Sequence, residues 1–246
     1  MPKALLIVEY NGAGFHGWQV QPKLRTVQSE LQRVIETIVR QSVPALEASG
    51  RTDSGVHARG QVVCVRLPEM INLDVFRRSI SALLPRELTV HAARWVDEDF
   101  DPCRHAKRKQ YSYHILHRDV PAVLEYGRVW YVPWRLDRER LERDARALIG
   151  EHDFESFRCS GCEAATTVRT IYESTVSING DSIVYRVIGS GFLKQMVRTI
   201  VGTLVDCASE RIVDRTIVQI LEAKDRRRAG VTAPAHGLYL DWVSYE

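Results

Sequence analysis

The sequence predicts an α+β chain built from two similar halves, each a mainly antiparallel sheet packed on helices. Three observations predict it. Strand-like alternation is interspersed with helical spacing along the whole chain, an Asn179-Gly180 pair joins two alternating runs as a hairpin, and the order of strands and helices is loosely repeated in the two halves. An evident hairpin argues against an all-parallel, doubly wound sheet. The expected division is 1–106 and 107–246, with a ligand cleft between the halves.

In the first half, residues 3–10 (KALLIVEY) read as a buried strand. Residues 26–41 read as a helix, because Val27, Leu31, Val34, Ile35, Ile38 and Val39 share one face behind Thr26 as N-cap. Gln61 to Leu67 alternates as a strand. Asn72 then caps a helix that stops before Pro85, and Leu88 to Val96 closes a β-α-β-α-β order.

The second half opens on a strand from Lys109 to His117, whose alternation puts Tyr111, Tyr113 and Ile115 on one side. A helix from Asp137 to Ile149 follows, with Gly150 as its stop. Asn179-Gly180 signals a type I′ hairpin turn. Two helices are expected near 192–208 and 214–224, and HGLYLDWVSY ends the chain as a strand.

With 246 residues, 45% hydrophobic and 26% charged, the composition is that of a globular chain long enough for one large or two modest cores. No apolar run approaches the length of a membrane span, and MPKALLIVEYNGAG lacks an h-region and a small-residue cleavage site, so the cytoplasm is expected. Of five cysteines only Cys159 and Cys162 have ligand or redox spacing. With no second CxxC and no HxxxH to complete a zinc set, they read as incidental reduced thiols, and no metal is expected.

The net charge of +3 says little about partners, but its distribution says more. Arg104, Lys107, Arg108 and Lys109 crowd in front of Tyr111 and Tyr113, and KDRRR at 224–228 forms a second basic knot. A basic run is ordinarily a solvated face. Basic charge that leads into stackable aromatics is also how proteins hold single-stranded or splayed-out nucleic acid.

Asp53 lies in EASGRTDSGVHARGQVV, residues 47–63. As turn chemistry, Asp followed by Ser-Gly bonds nearby backbone N–H groups while Gly accepts a positive φ. As chemistry, a carboxylate in a Gly-flanked loop is a candidate ligand or nucleophile, and no phosphate-loop pattern or second carboxylate cluster accompanies it. Arg198 poses a parallel question. It interrupts an apolar helix face of Phe192, Met196, Ile200, Thr203 and Leu204, where it is either a snorkelling surface residue or the partner of an anion such as Asp53.

Three segments carry a resemblance. They are Ser49-Gly50-Arg51-Thr52-Asp53-Ser54-Gly55-Val56-His57-Ala58, Tyr111-Ser112-Tyr113 after the basic run, and Phe192 to Arg198 as F-x-x-x-M-V-R followed by Ile200-Val201-Gly202. Tyr10-Asn11-Gly12, Gly17-Trp18-Gln19, Asp153-Phe154 and the tail from Ala229 to Leu240 extend it over nearly the whole chain. Together they resemble the tRNA pseudouridine synthase A family.

The resemblance implies the pseudouridine synthase fold and an isomerase that detaches uracil from its ribose and rejoins it through C5, with no cofactor. Its substrate would be uridine at positions 38, 39 and 40 of the tRNA anticodon stem-loop, and the enzyme would be a homodimer. Asp53 matches the nucleophile, acting at the ribose C1′ or at uracil C6. Arg198 matches the guanidinium that favours the ionised carboxylate, and Tyr111 the aromatic that stacks on the target base. Arg51 matches the residue that helps take the base out of its stack. His57 contacts phosphate or braces the loop, the second fitting its small neighbours better. Arg104, Lys107, Arg108 and Lys109 are candidate RNA contacts. Three positions depart from the pattern: Ser54 stands where Ala is usual, Asn11 where Asp is usual, and Arg104 lies one position late.

Two rival readings remain. A non-catalytic RNA-binding domain would stack bases on Tyr111 and Tyr113 but leaves Asp53 without a purpose. A thiol or metal enzyme around Cys159 and Cys162 would respond to chelation or alkylation.

Overall fold

The computed structural model describes residues 1–162 and 164–246, which form two compact units, 1–107 with 239–246 and 108–238. Among the described residues no helix is long and apolar enough to cross a membrane.

In the first unit, β1 (Lys3–Tyr10) leads through a 3-10 turn to α1 (Val27–Val39). Thr26 caps α1 through a box completed by Ser29, a pair whose loss would cost about 1 kcal/mol. A short β2 (Glu47–Ala48), absent from the sequence reading, precedes β3 (His57–Arg66), and α2 (Leu73–Leu83), capped by Asn72 as expected, precedes β4 (Leu88–Val96). Central β1 pairs antiparallel with both β3 and β4, so that Leu6 lies opposite Val63 on one side and Ala93 on the other. Its near-continuous apolar run suits that position. One cluster of the core joins Leu5, Val62 and Cys64 to Val96, Phe100, Val243 and Tyr245.

In the second unit, β5 (Arg108–Leu116) is followed by β6 (Trp130–Tyr131), α3 (Arg138–Arg146) and β7 (Gly150–Asp153). The hairpin of β8 (Val168–Asn179) and β9 (Ser182–Gly189) comes next, then α4 (Met196–Ala208) and α5 (Ile217–Glu222). β9 pairs antiparallel with β5 and β8, and β8 with β7. The mainly antiparallel α+β class is what the sequence predicts.

Several boundaries shift for identifiable reasons. At the hairpin tip Asn179 pairs with Ser182, which leaves Gly180-Asp181 as the turn; only Gly180 has a positive φ, whereas type I′ needs it at both central residues. Asp137 is the cap of α3 and not its first residue, and Gly150, at φ +119, opens β7 instead of merely ending the helix. The expected helix at 192–208 starts at Met196, because Gln195 is left-handed and interrupts the apolar spacing that Phe192 begins.

The last strand, β10 (Leu238–Ser244), belongs from Tyr239 onward with the first unit. It runs parallel to β3, with Tyr239 opposite His57 and Leu240 opposite Ala58. β3 accordingly begins at His57, four residues before the alternation at Gln61. Gly60 marks the closeness of this pairing: a Cβ there would lie 2.6 Å from the Asp241 carbonyl oxygen.

Candidate active site

The loop that carries Asp53 is fixed from both flanks. On the N-terminal side, buried Ser49 donates its hydroxyl to Gln61 Oε1 (2.6 Å), and Gln61 Nε2 donates to the Gly50 carbonyl (2.8 Å). Thr52 Oγ1 shares a buried 2.8 Å hydrogen bond with the Tyr10 hydroxyl. Burial pushes that phenol up to about 12, so Tyr10 stays protonated and able to donate.

The turn chemistry read from the sequence is present. Val56 donates its N–H to the Asp53 carbonyl (3.1 Å) across Gly55, whose φ is +81. The backbone of 52–55 also leans on residues 15–18: Trp18 N–H donates to the Thr52 carbonyl, while Gly55 N–H and the Ser54 hydroxyl reach the Phe15 carbonyl. At Gly17 a Cβ would come within 2.8 Å of the Thr52 carbonyl oxygen, and its φ is +85, so glycine is required on both counts. Asp53 is therefore half-buried on a constrained bend, with Arg51 exposed two residues before it.

His57 is a brace. Its buried ring accepts a hydrogen bond from Gly12 N–H at Nδ1 (3.1 Å) and stacks on Tyr239 at 4.6 Å. That burial withdraws the ring from the phosphate contact considered for it. Asn11 caps the 3-10 turn of 12–14, its side chain accepting from Ala13 N–H.

In the second unit, Tyr111 is half-buried on β5 and meets Phe192 edge-to-face at 5.1 Å. Tyr113, on the same side of the strand, is fully buried, and its hydroxyl donates to the Pro234 carbonyl (2.7 Å). A ring so enclosed is unsuited to stacking bases. Of the two tyrosines, Tyr111 alone keeps surface for that role.

Arg198 lies in the first turn of α4 and is tied to the tail. Its Nε donates to the Ala233 carbonyl (2.8 Å), and Ala233 N–H donates to the Arg198 carbonyl (3.1 Å). Fixing Nε orients the whole planar guanidinium. The snorkelling reading does not describe such a residue.

The basic candidates are less uniform. Arg104 lies in a turn where Asp101 accepts from the Cys103 and Arg104 N–H groups, and the Arg104 backbone bond chiefly holds the Asp101 carboxyl below its usual range. Its side chain, like that of Lys107, is exposed, and Arg108 lies over the Tyr172 ring at 4.9 Å. Lys109 is half-buried on β5. Within KDRRR, Lys224 pairs with Asp153 and Arg227 with Asp225. Arg226 instead donates to the Gly230 carbonyl and to Thr232 Oγ1.

Cys159 and Cys162 are half-buried and in no disulfide, and no group of three His, Cys, Asp or Glu side chains among the described residues is arranged to hold a metal ion. Local spacing gives no signal for the contacts of Tyr10 with Thr52 and of Asp206 Oδ2 with Val231 N–H, 42 and 25 residues apart, and sequence reasoning also missed the nearer bonds of Gln61 and Arg226.

A family model described as tRNA pseudouridine synthase matches residues 145–246. A tRNA pseudouridine synthase A from Exiguobacterium sp. is 42% identical over 246 residues, covering 100% of this chain and 99% of its own. One from Bacillus licheniformis is 41% identical over 241 residues, covering 97% of each. In structure the chain is similar, at a TM-score of 0.38 and 13% identity, to a chain in the crystal structure of a Cbf5-Nop10-Gar1 complex, over 82% of this chain and 53% of that one. By its full-length identity to these relatives, the chain belongs to the tRNA pseudouridine synthase A family.

Proposed function

We propose that this chain is the isomerase that converts uridine to pseudouridine in tRNA, at positions 38, 39 and 40 of the anticodon stem-loop, with Asp53 as nucleophile. Family membership supports the reaction. The observation that carries the residue assignment is the constrained bend on which Asp53 is held, pinned through Thr52 by Tyr10 and through its own carbonyl by Val56.

In this reading the N1–C1′ bond of uridine breaks and a C5–C1′ bond forms. The C5 proton is lost and N1 gains one, so nothing enters from a cofactor. The Asp53 carboxylate attacks at C1′ or C6, and Arg198 favours its ionised form. Tyr111 stacks on the displaced base. Arg51, exposed beside Asp53, occupies the helix the base has left, and Arg104, Lys107, Arg108 and Lys109 meet phosphates. The protein works as a homodimer in the cytoplasm.

The test is Asp53→Asn assayed with a tRNA transcript tritiated at uridine C5. Retained tRNA binding with tritium release lowered at least about a thousandfold is expected, since an essential nucleophile is removed. Substantial turnover by that variant would refute the assignment. The rival reading, a non-catalytic RNA-binding domain, is disfavoured by the burial of Tyr113 and predicts no release from the unaltered protein.

A further inference from the structure

Residues 230–233 run along α4 and are fastened at Gly230, Val231 and Ala233 by their backbone groups and at Thr232 by its side chain. Gly230 N–H donates to Thr203 Oγ1 (2.9 Å), and Val231 N–H donates to Asp206 Oδ2 (3.0 Å). Arg226 Nη1 donates to the Gly230 carbonyl (2.9 Å) and Nη2 to Thr232 Oγ1 (3.0 Å). The contact with the helix is close enough that a Cβ on Gly202 would lie 1.8 Å from the Val231 carbonyl oxygen. The last residue of this fastened segment, Ala233, supplies the carbonyl that holds Arg198 Nε.

Two of the fastening groups, Asp206 and Arg226, are ionic. Asp206, 5% exposed, holds the segment with Oδ2 while its Oδ1 lies 3.6 Å from the Arg211 guanidinium, which offsets the cost of burying the carboxylate. Arg226 donates both terminal nitrogens to the 230–232 segment, whereas Arg227 beside it has an exposed side chain that pairs with the nearby Asp225. Identical neighbours in one basic run therefore have different work.

We propose that Arg226 and Asp206 are positioning residues for Arg198: they clamp residues 230–233 so that the Ala233 carbonyl sets the direction of the guanidinium. The inference rests on the role given to Arg198 above. It separates Arg226 from the RNA-binding charge that its place in KDRRR suggests.

The test measures kcat and KM for C5 tritium release by the full chain with variants Arg226→Gln, Arg227→Gln, Arg198→Lys and the double variant Arg226→Gln/Arg198→Lys. Arg226→Gln is expected to lower kcat about tenfold with KM nearly unchanged, because orientation and not tRNA binding is lost. Arg227→Gln acts through KM alone. In the Arg198→Lys background Arg226→Gln costs nothing more, since the group it positions is gone.

A rise in KM at unchanged kcat for Arg226→Gln, or full additivity in the double variant, overturns the proposal. If Arg226→Gln does not fold, Thr232→Val removes a single acceptor of the clamp and is expected to show a smaller kcat loss that likewise vanishes without Arg198. Should Arg198→Lys itself leave kcat unchanged, both the role of Arg198 and its positioning fall. If Arg198→Lys lowers kcat while Arg226→Gln and Thr232→Val do not, the positioning falls alone.

Discussion

The loop around Asp53 and the segment around Arg198 solve one problem, holding a charged side chain still, by different means. In the first region the charge is on an irregular bend, and neutral groups hold it: a buried phenol, an amide, a hydroxyl and glycines that admit close backbone approach. In the second the charge is on a helix, and a strapped tail with ionic fasteners holds it. A cation in a helix already has a rigid base and needs only its plane set. A carboxylate on a loop has no such base, so the backbone itself must be pinned, and pinning with neutral donors adds no second charge beside Asp53.

The comparison breaks most sharply at one glycine in each region. Gly12→Ala would place a Cβ 2.0 Å from the Val56 carbonyl oxygen, and Gly202→Ala 1.8 Å from that of Val231. Neither contact can be relieved without moving backbone, so each is expected to cost about 3 kcal/mol or more, at the upper end of overpacking. Thermal melts check the size of the loss. Activity at a temperature where both variants remain folded checks its meaning: both should lose most turnover, one through the Asp53 loop and the other through the tail. A Gly202→Ala enzyme of full activity would show that the tail has no part in the chemistry.

The two regions also differed in what the sequence disclosed. The bend at 53–56 was legible because Asp-Ser-Gly is local chemistry, and the helix of Arg198 because its spacing is local too. The fastening was not. Tyr10 to Thr52, Asp206 to Val231 and β10 to β3 each depend on which distant segments meet, and alternation says which face a residue is on but not how deeply it lies. Thus Tyr111 and Tyr113 were placed on one side correctly, while only the structure separates the half-buried ring from the enclosed one. The arginines of the basic run 224–228 read alike for the same reason, since charge counts alone do not distinguish Arg226 from Arg227.

A milder perturbation compares the two phenols. Tyr10→Phe deprives Thr52 of its partner next to Asp53, and Tyr113→Phe deprives the Pro234 carbonyl next to Ala233. Each leaves a buried or half-buried polar group unmatched and is expected to cost about 1–2 kcal/mol. Melting temperatures should fall alike, and kcat should fall severalfold with KM nearly constant. A kcat loss confined to Tyr10→Phe would mean that the first region tolerates less displacement than the second, the expected outcome if its loop has no rigid element beneath it.

The smallest effect comes from the charge that only the second region carries close to its tail. His236, in the 3-10 turn after Pro234, has its pKa lowered below the ordinary 6.5, first by burial and further by the Arg198 charge, against a backbone bond at Val129 that raises it. The unfolded chain therefore binds this proton at a higher pH than the folded one does. As pH falls through about 6.5 the unfolded state gains protons first, and folding stability declines until the folded imidazole titrates as well. His236→Gln removes this contribution, so its melting temperature should drop less than that of the unaltered protein between about pH 7.5 and about 5.5. The imidazole signal, followed by NMR, tests the electrostatic part separately: in Arg198→Gln it should titrate at higher pH than in the unaltered protein. An unmoved titration would mean that the Arg198 charge is screened from His236 and that burial alone keeps this part of the tail neutral.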